Sequence, residues 1–318
     1  MKSFIKNQKG NVIAFSALIT FVLIGFASIS IDVGAILSAK NQLQSAVDAS
    51  ALAGATGLFD DYDTAVQLAM DIGSRNECFG QTIELTVDDI TFPAGSRIAV
   101  QSNQTVPLFF AKVLGLESAQ ISASAMAEIG TIVSTNRMRP WAVPDNHYDP
   151  GDRVVIKSGS LGAPSTVPSF YYPIDFPALN RGTPLTGACI YEQYVKKGAP
   201  DMVFMGDELQ VEPGNMVGPT KQGIEYLLNK DQGAYWDGNN VVNSSYPGTS
   251  SPRIIKIPLF DPNDPPTSGR NSIIVTGFAA FFVQGMQGKD VIGVFMNKVT
   301  GGYFGSGNSM LRGVRLVG

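Results

Sequence analysis

No residue between Lys9 and Asp32 carries a charge. Within that run, residues 12–31 are apolar apart from Ser16, Thr20, Ser28 and Ser30. At about 1.5 Å per residue, a helix over this stretch spans roughly the 30 Å hydrocarbon core of a bilayer. The four hydroxyls are compatible with that setting, because they can bond back to helix carbonyls. Such a segment crosses a membrane, is removed as a secretory signal, or is buried in a protein core. A signal core is usually about 7–15 residues long with a small-x-small site close behind it. This run is longer, and the first good Ala-x-Ala pattern, around residues 49–55, comes too late. Lys2, Lys6 and Lys9 precede the run with no acid among them, and Asp32 closes it. The positive-inside bias therefore predicts a cytoplasmic N-terminus with everything after Asp32 across the lipid. A retained single-pass anchor over residues 1–31 is the expectation, with the lipid bilayer as its first partner. A buried core helix is the alternative.

Beyond Asp32 the pattern becomes amphipathic. Val33, Ile36, Leu37, Leu43 and Val47 recur at helical spacing, with Lys40, Gln44 and Asp48 among them. Small residues then align on one side: Ala46, Ser50 and Gly54 lie four apart, as do Ala49, Ala53 and Gly57. Small side chains let another backbone come close. The face formed by these six residues therefore packs either on the chain's own domain or on a second subunit, which would be self-association through the juxtamembrane helix. Gly34 is a place where the helix could bend as it leaves the lipid.

The order of short pieces along this helix carries a resemblance. Gly10-Asn11-Val12, Asp32-Val33-Gly34, then residues 43–49 (LQSAVDA) and 51–55 (ALAGA) resemble the N-terminal module of TadE/TadG-like Flp pilus-assembly proteins. Residues 109–115 (FFAKVLG) resemble the same family, and residues 212–216 and 277–282 are similar to stretches in members of it. The resemblance implies an inner-membrane-anchored component of a tight-adherence pilus system that works with other pilus-assembly or envelope proteins. Pilin-like members carry glutamate five residues after the processed glycine. Phe15 stands at that position counted from Gly10, which implies the unprocessed, TadG-like branch. Longer members carry a von Willebrand A-type domain with an Asp-x-Ser-x-Ser metal motif; that motif is absent here, so no metal-dependent adhesion role carries over.

The rest of the chain predicts an α+β protein. Residues 32–130 are expected to hold the juxtamembrane helix and a small α+β unit. That unit would run helix 62–75, strand 83–87, strand 97–106, short helix 107–114 and strand 119–129. Residues 131–318 are expected to form a β-rich domain of antiparallel barrel or sandwich type, with strands near 154–157, 202–204, 209–211, 254–260, 272–282, 291–298 and 311–316. One helix is expected there, over 220–229, burying Ile224, Leu227 and Leu228. Gly (34) and Pro (19) are abundant, as turn-rich β structure needs.

Candidates for chemistry are sparse. The net charge is −4 and no basic stripe is visible, so nucleic acid is not an expected partner. Cys78 and Cys189 are the two cysteines. They form neither a Cys-x-x-Cys nor a Cys/His cluster, so zinc is not expected. In an oxidising compartment they could pair, and separately buried thiols are the alternative. His147 is the one histidine, so any Ser–His–acid triad must use it, and no Gly-x-Ser-x-Gly elbow accompanies it. Residues 214–221 (GNMVGPTK) look superficially like a phosphate loop. The glycine spacing is short and Thr and Lys are reversed, which favours a glycine turn into a helix. Acids at 207, 208, 212, 261 and 264 could supply a carboxylate pair for glycan hydrolysis, and the 261–266 turn could hold calcium. Trp141, Tyr171, Tyr172 and Trp236 could stack on sugar or belong to a core. The leading expectation is a non-catalytic structural or assembly protein without a cofactor. A membrane-tethered hydrolase and a cell-wall glycan-binding module are the alternatives.

Overall fold

The structure is a computed structural model that describes residues 9–146, 148–158, 170–212, 214, 216–267, 271–307 and 309–318. It has an α+β fold divided into two compact units: residues 1–128 with 315–318, and residues 129–314.

The first unit is built on helix α1 (Lys9–Gly57), which runs unbroken through Gly34. Its apolar first half is exposed, and its second half is the core of the unit. Leu43, Ala46, Val47, Ser50, Ala51, Gly54 and Ala55 are buried. Helix α2 (Tyr62–Ser74) packs against them after a tight turn; Asp61 caps its N-terminus by accepting the Thr64 amide at 2.6 Å. Strands β1 (Ile90–Ala94), β2 (Arg97–Pro107) and β3 (Ser118–Thr135), the last through its residues 118–128, form an antiparallel meander. Ile98 and Val100 of β2 and Ala123 and Ala127 of β3 alternate into its buried face.

Residues 83–87 do not form the expected strand. Ile83 and Leu85 are buried as the alternation requires, but they lie on an unpaired stretch. Thr86 and Asp89 close a capping box around a 3₁₀ turn (Val87–Asp89), and pairing begins only at Ile90. The expected short helix after Pro107 is a 3₁₀ turn, Ala111–Leu114.

The second unit is a closed sheet with two helices against it. The strands of that sheet are β4 (Trp141–Pro144), β5 (Arg153–Ser158), β6 (Phe170–Pro173), β7 (Glu208–Gln210), β8 (Ile254–Phe260), β9 (Ser272–Gln287) and β10 (Asp290–Met296). The order β9-β8-β4-β6-β5-β10 returns to β9, so six strands close a barrel, and β7 pairs with part of β9. Closure removes the edges on which other chains could pair. The barrel is mixed rather than antiparallel throughout, because β8–β4 and β5–β6 are parallel pairs. Both faces of β8 and β9 are covered. Ile255, Ile257, Phe281 and Val283 belong to one apolar cluster, and Ile254, Phe260, Ala280 and Phe282 to another.

Helix α3 (Ala188–Lys197) was not expected from sequence; α4 (Val217–Lys230) was expected over 220–229. Both pack on the first of these clusters through Tyr191, Val195, Ile224 and Leu227, while Leu228 is half-buried.

Candidate functional site

Helix α1 carries the site. Its charge-free first half exposes Val12, Phe15, Leu18, Phe21, Leu23 and Phe26. None of its most apolar stretch is buried inside the chain.

Where the apolar run ends, Asp32 is buried and acts as a latch. Its Oδ1 accepts the Phe109 amide at 2.7 Å, its Oδ2 accepts the Ala111 amide at 2.7 Å, and the Phe110 amide reaches both oxygens. These amides open the 3₁₀ turn Ala111–Leu114, where N–H groups lack partners of their own. A carboxylate is the group that satisfies several such donors at once. The latch holds an apolar loop beside the end of the apolar run: Phe109, Phe110, Val113 and Leu116 are all exposed. Asp32-Val33-Gly34 and residues 109–115 are two of the pieces that carry the family resemblance, and here they meet. The sequence alone did not reveal this pairing, because nothing local joins residues so far apart.

The small-residue face is used within the chain. Ala46, Ser50, Gly54 and Gly57 are buried, and Ala49 and Ala53 are half-buried. A Cβ on Gly54 would lie 2.5 Å from Ile98 Cδ1, and one on Gly57 would lie 2.6 Å from Ala65 Cα and 2.7 Å from Ala65 N. At Gly54 and Gly57 the close approach that small residues permit is made with α2, and at Gly54 also with β2.

Residues 10–57 match a family model described as "Putative Flp pilus-assembly TadE/G-like". No curated protein and no solved structure matches the chain. The TadE/G-like segment coincides with α1 almost end to end, so it takes in the apolar run, Asp32 and the small-residue face together. With its exposed apolar half, the TadE/G-like helix fits a membrane-anchored protein with a role in Flp pilus assembly.

Other sequence candidates fall elsewhere. His147 lies outside the described residues. Cys78 is buried, with its thiol donating to the Ala39 carbonyl at 3.3 Å, and Cys189 is exposed. Both are free thiols in this structure. Trp141, Tyr171 and Tyr172 are fully buried, which removes three of the four aromatics that could have stacked on sugar; Trp236 is half-buried.

The acids of the second unit are engaged in its own framework. Asp207 accepts from Arg181 and Asn180, Glu208 accepts from the Ser272 hydroxyl, and Asp261 caps its own turn at Asn263. Glu212 accepts the Gly187 amide at 3.0 Å, and burial and the neighbouring Glu212 push the Asp175 carboxyl up to about 8; both side chains are buried. Of the phosphate-loop candidate, residues 217–221 open α4, with Pro219 in its first turn. Among the described residues, no three His, Cys, Asp or Glu side chains come together as a metal site.

Proposed function

We propose that the chain is a non-catalytic, membrane-anchored structural component of a Flp-type pilus-assembly apparatus. Residues 12–31 cross the inner membrane, the N-terminus stays in the cytoplasm, and both folded units lie on the far side. The carrying observation is that one unbroken helix holds the TadE/G-like match and a charge-free span of bilayer length. The flanking charges support the orientation, with three lysines before the span and Asp32 after it. The Asp32 latch supports the depth. It ties Phe109, Phe110, Val113 and Leu116 to the level where the helix leaves the hydrocarbon, so these exposed side chains meet the interfacial lipid rather than water. Phe15 in place of glutamate supports retention of the whole helix. The partners are other pilus-assembly or envelope proteins. Self-association through the juxtamembrane helix would use Val33 and Leu37, which remain exposed, and the half-buried Ala49 and Ala53 of the small-residue face.

Reporter fusions after Ala55 test the orientation. Alkaline phosphatase should be active there, and a reporter that works only in the cytoplasm should be silent. Intact mass of the membrane-extracted protein tests retention. An N-terminus at Asn11 would mean pilin-type processing and one beyond Ser30 would mean secretory cleavage; either overturns the anchor.

A further inference from the structure

The second unit holds a cavity of about 610 Å³ whose wall includes seven cationic side chains and no acidic one. In a chain of net charge −4, such a concentration is against the overall balance. Three of the seven have a framework reason to be there. Lys196 and Lys197 end α3 and Lys230 ends α4, where the helix dipole favours positive charge, and Lys196 also pairs with Glu192.

The remaining four have no such reason. Arg137 and Arg139 lie on the segment after β3, Lys256 projects from β8, and Lys298 follows β10. Among the described residues none of these four has a carboxylate within ion-pair distance. Lys256 Nζ donates only to the hydroxyls of Thr135 at 2.6 Å and Thr300 at 3.4 Å, and Lys298 Nζ only to the Thr249 carbonyl at 2.8 Å. Arg139 is 93% buried by side-chain and backbone accessibility (7% exposed), and its Nε has no partner. Its place is prepared by Gly198, which has φ +80°; a Cβ there would lie 2.7 Å from the Arg139 guanidinium and 2.4 Å from the Arg137 carbonyl. Arg139 is buried, Lys256 and Lys298 are half-buried and Arg137 is exposed; holding the first three like charges together away from water is costly unless an opposite charge completes the site.

We propose that this cavity binds a phosphate ester carrying at least two negative charges. A guanidinium fork with flanking ammonium groups is the donor set that phosphate oxygens match. The volume lies within the usual small-ligand range of about 300–1,000 Å³ and exceeds what one phosphate fills. The faces of Tyr226 and Tyr246, with Pro252 and Ile255, offer apolar wall for the rest of the molecule.

The charge state sets a pH signature. Burial first, then neighbouring cations, hold Lys256 and Lys298 at about 8, well below the usual lysine value. The charged groups acting on them are Arg137, Arg139 and Lys298 for Lys256, and Arg139 for Lys298; Lys196, Lys197, Lys230, Tyr226 and Tyr246 are the other titratable groups lining the cavity. Below about pH 8 both lysines are charged and attract the ligand. As pH rises through 8 they lose their protons first in the folded protein, and affinity falls.

The test titrates the full chain in a neutral maltoside detergent with inorganic pyrophosphate, by calorimetry and by thermal shift. Wild-type protein should bind at pH 7, gain thermal stability, and bind at least tenfold more weakly at pH 9. Arg139→Gln and Lys256→Gln should each weaken binding at least tenfold while leaving the ligand-free melting temperature unchanged or higher, since each removes an uncompensated charge. Lys221→Gln, on the outer side of α4, should bind as wild type. Micelles doped with phosphatidic acid, a phosphomonoester lipid, separate two sources: competition with pyrophosphate identifies a lipid headgroup, and its absence a soluble ester. Failure of pyrophosphate to bind wild-type protein, or equal binding to all variants, overturns the proposal.

Discussion

Arg253→Leu should be the most damaging single substitution in the second unit, lowering its stability by about 3–5 kcal/mol. Arg253 is 5% exposed, and its guanidinium serves as a hub. Nε donates to the Val283 carbonyl at 2.9 Å, one terminal nitrogen donates to the carbonyls of Asp231 and Ala234 at 3.0 and 2.6 Å, and the other reaches that of Gln284 at 3.3 Å. The group also lies 4.7 Å from the centre of the Phe282 ring. Leucine fills part of the volume but offers no donor, so four inward carbonyls lose a partner where water has little access. The neighbouring Asp231 carboxylate, held by the Ser244 and Ser251 hydroxyls and the Ser245 amide, also loses a nearby positive charge. A fall in melting temperature of roughly 10 °C is expected for a domain of this size. Arg253→Lys should recover only part of it, since one ammonium cannot reach carbonyls in four directions. A loss below about 1 kcal/mol for Arg253→Leu would mean that the hub does not stabilise the barrel.

Gly57→Leu is expected to have the corresponding effect on the first unit. The clash at Gly57 is with Ala65 backbone atoms at 2.6 and 2.7 Å, and backbone in a packed helix cannot rotate away as a side-chain tip can. Helices α1 and α2 must separate, at a cost of at least the 1–3 kcal/mol, approximately, that overpacking brings. Cys78 reports on this separation. Its thiol is buried against the Ala39 carbonyl, and burial pushes its pKa up, so it should resist alkylation in the intact protein. Cys189 is exposed and should label readily with or without the substitution. In Gly57→Leu the Cys78 labelling rate should rise at least tenfold while that of Cys189 stays constant. Unchanged protection of Cys78 would show that the interface tolerates the bulk.

Much of this architecture is legible in the sequence where the determining pattern is local. The charge-free run and the amphipathic spacing that follows it predict α1, because burial and exposure repeat along a single helix. Ile254–Phe260 is predicted to the residue, since a strand covered on both faces reads as an uninterrupted apolar run. The same reasoning misleads at residues 83–87, where alternation marks burial of Ile83 and Leu85 but not pairing. Helix α3 escapes notice because only Tyr191 and Val195 of its residues are buried, too few to set a period. The two parallel pairings depend on which distant strands meet, and no local pattern records that. The Asp32 latch and the cationic cavity share this limitation. Each is assembled from segments far apart in the chain, and each part taken singly looks like an ordinary surface charge or a stray aspartate. At Gly54 and Gly57 the small-residue spacing marks a close approach to the chain's own α2, a partner no local pattern names.

Because α1 has no break between its apolar half and its packed half, azimuth and height are geared together along it. One residue inserted between Ile31 and Asp32 would turn everything beyond by about 100° and advance it by about 1.5 Å relative to the apolar half. The Asp32 carboxylate would still find its loop, since that loop travels with it, but the side of the helix that Phe109 and Phe110 flank would face a new direction. Four inserted residues would restore the bearing to within about 40° while raising the folded unit by about 6 Å. Helix α1 is thus a keyed shaft: any partner that grips the apolar half at a fixed angle also dictates which way the first unit points.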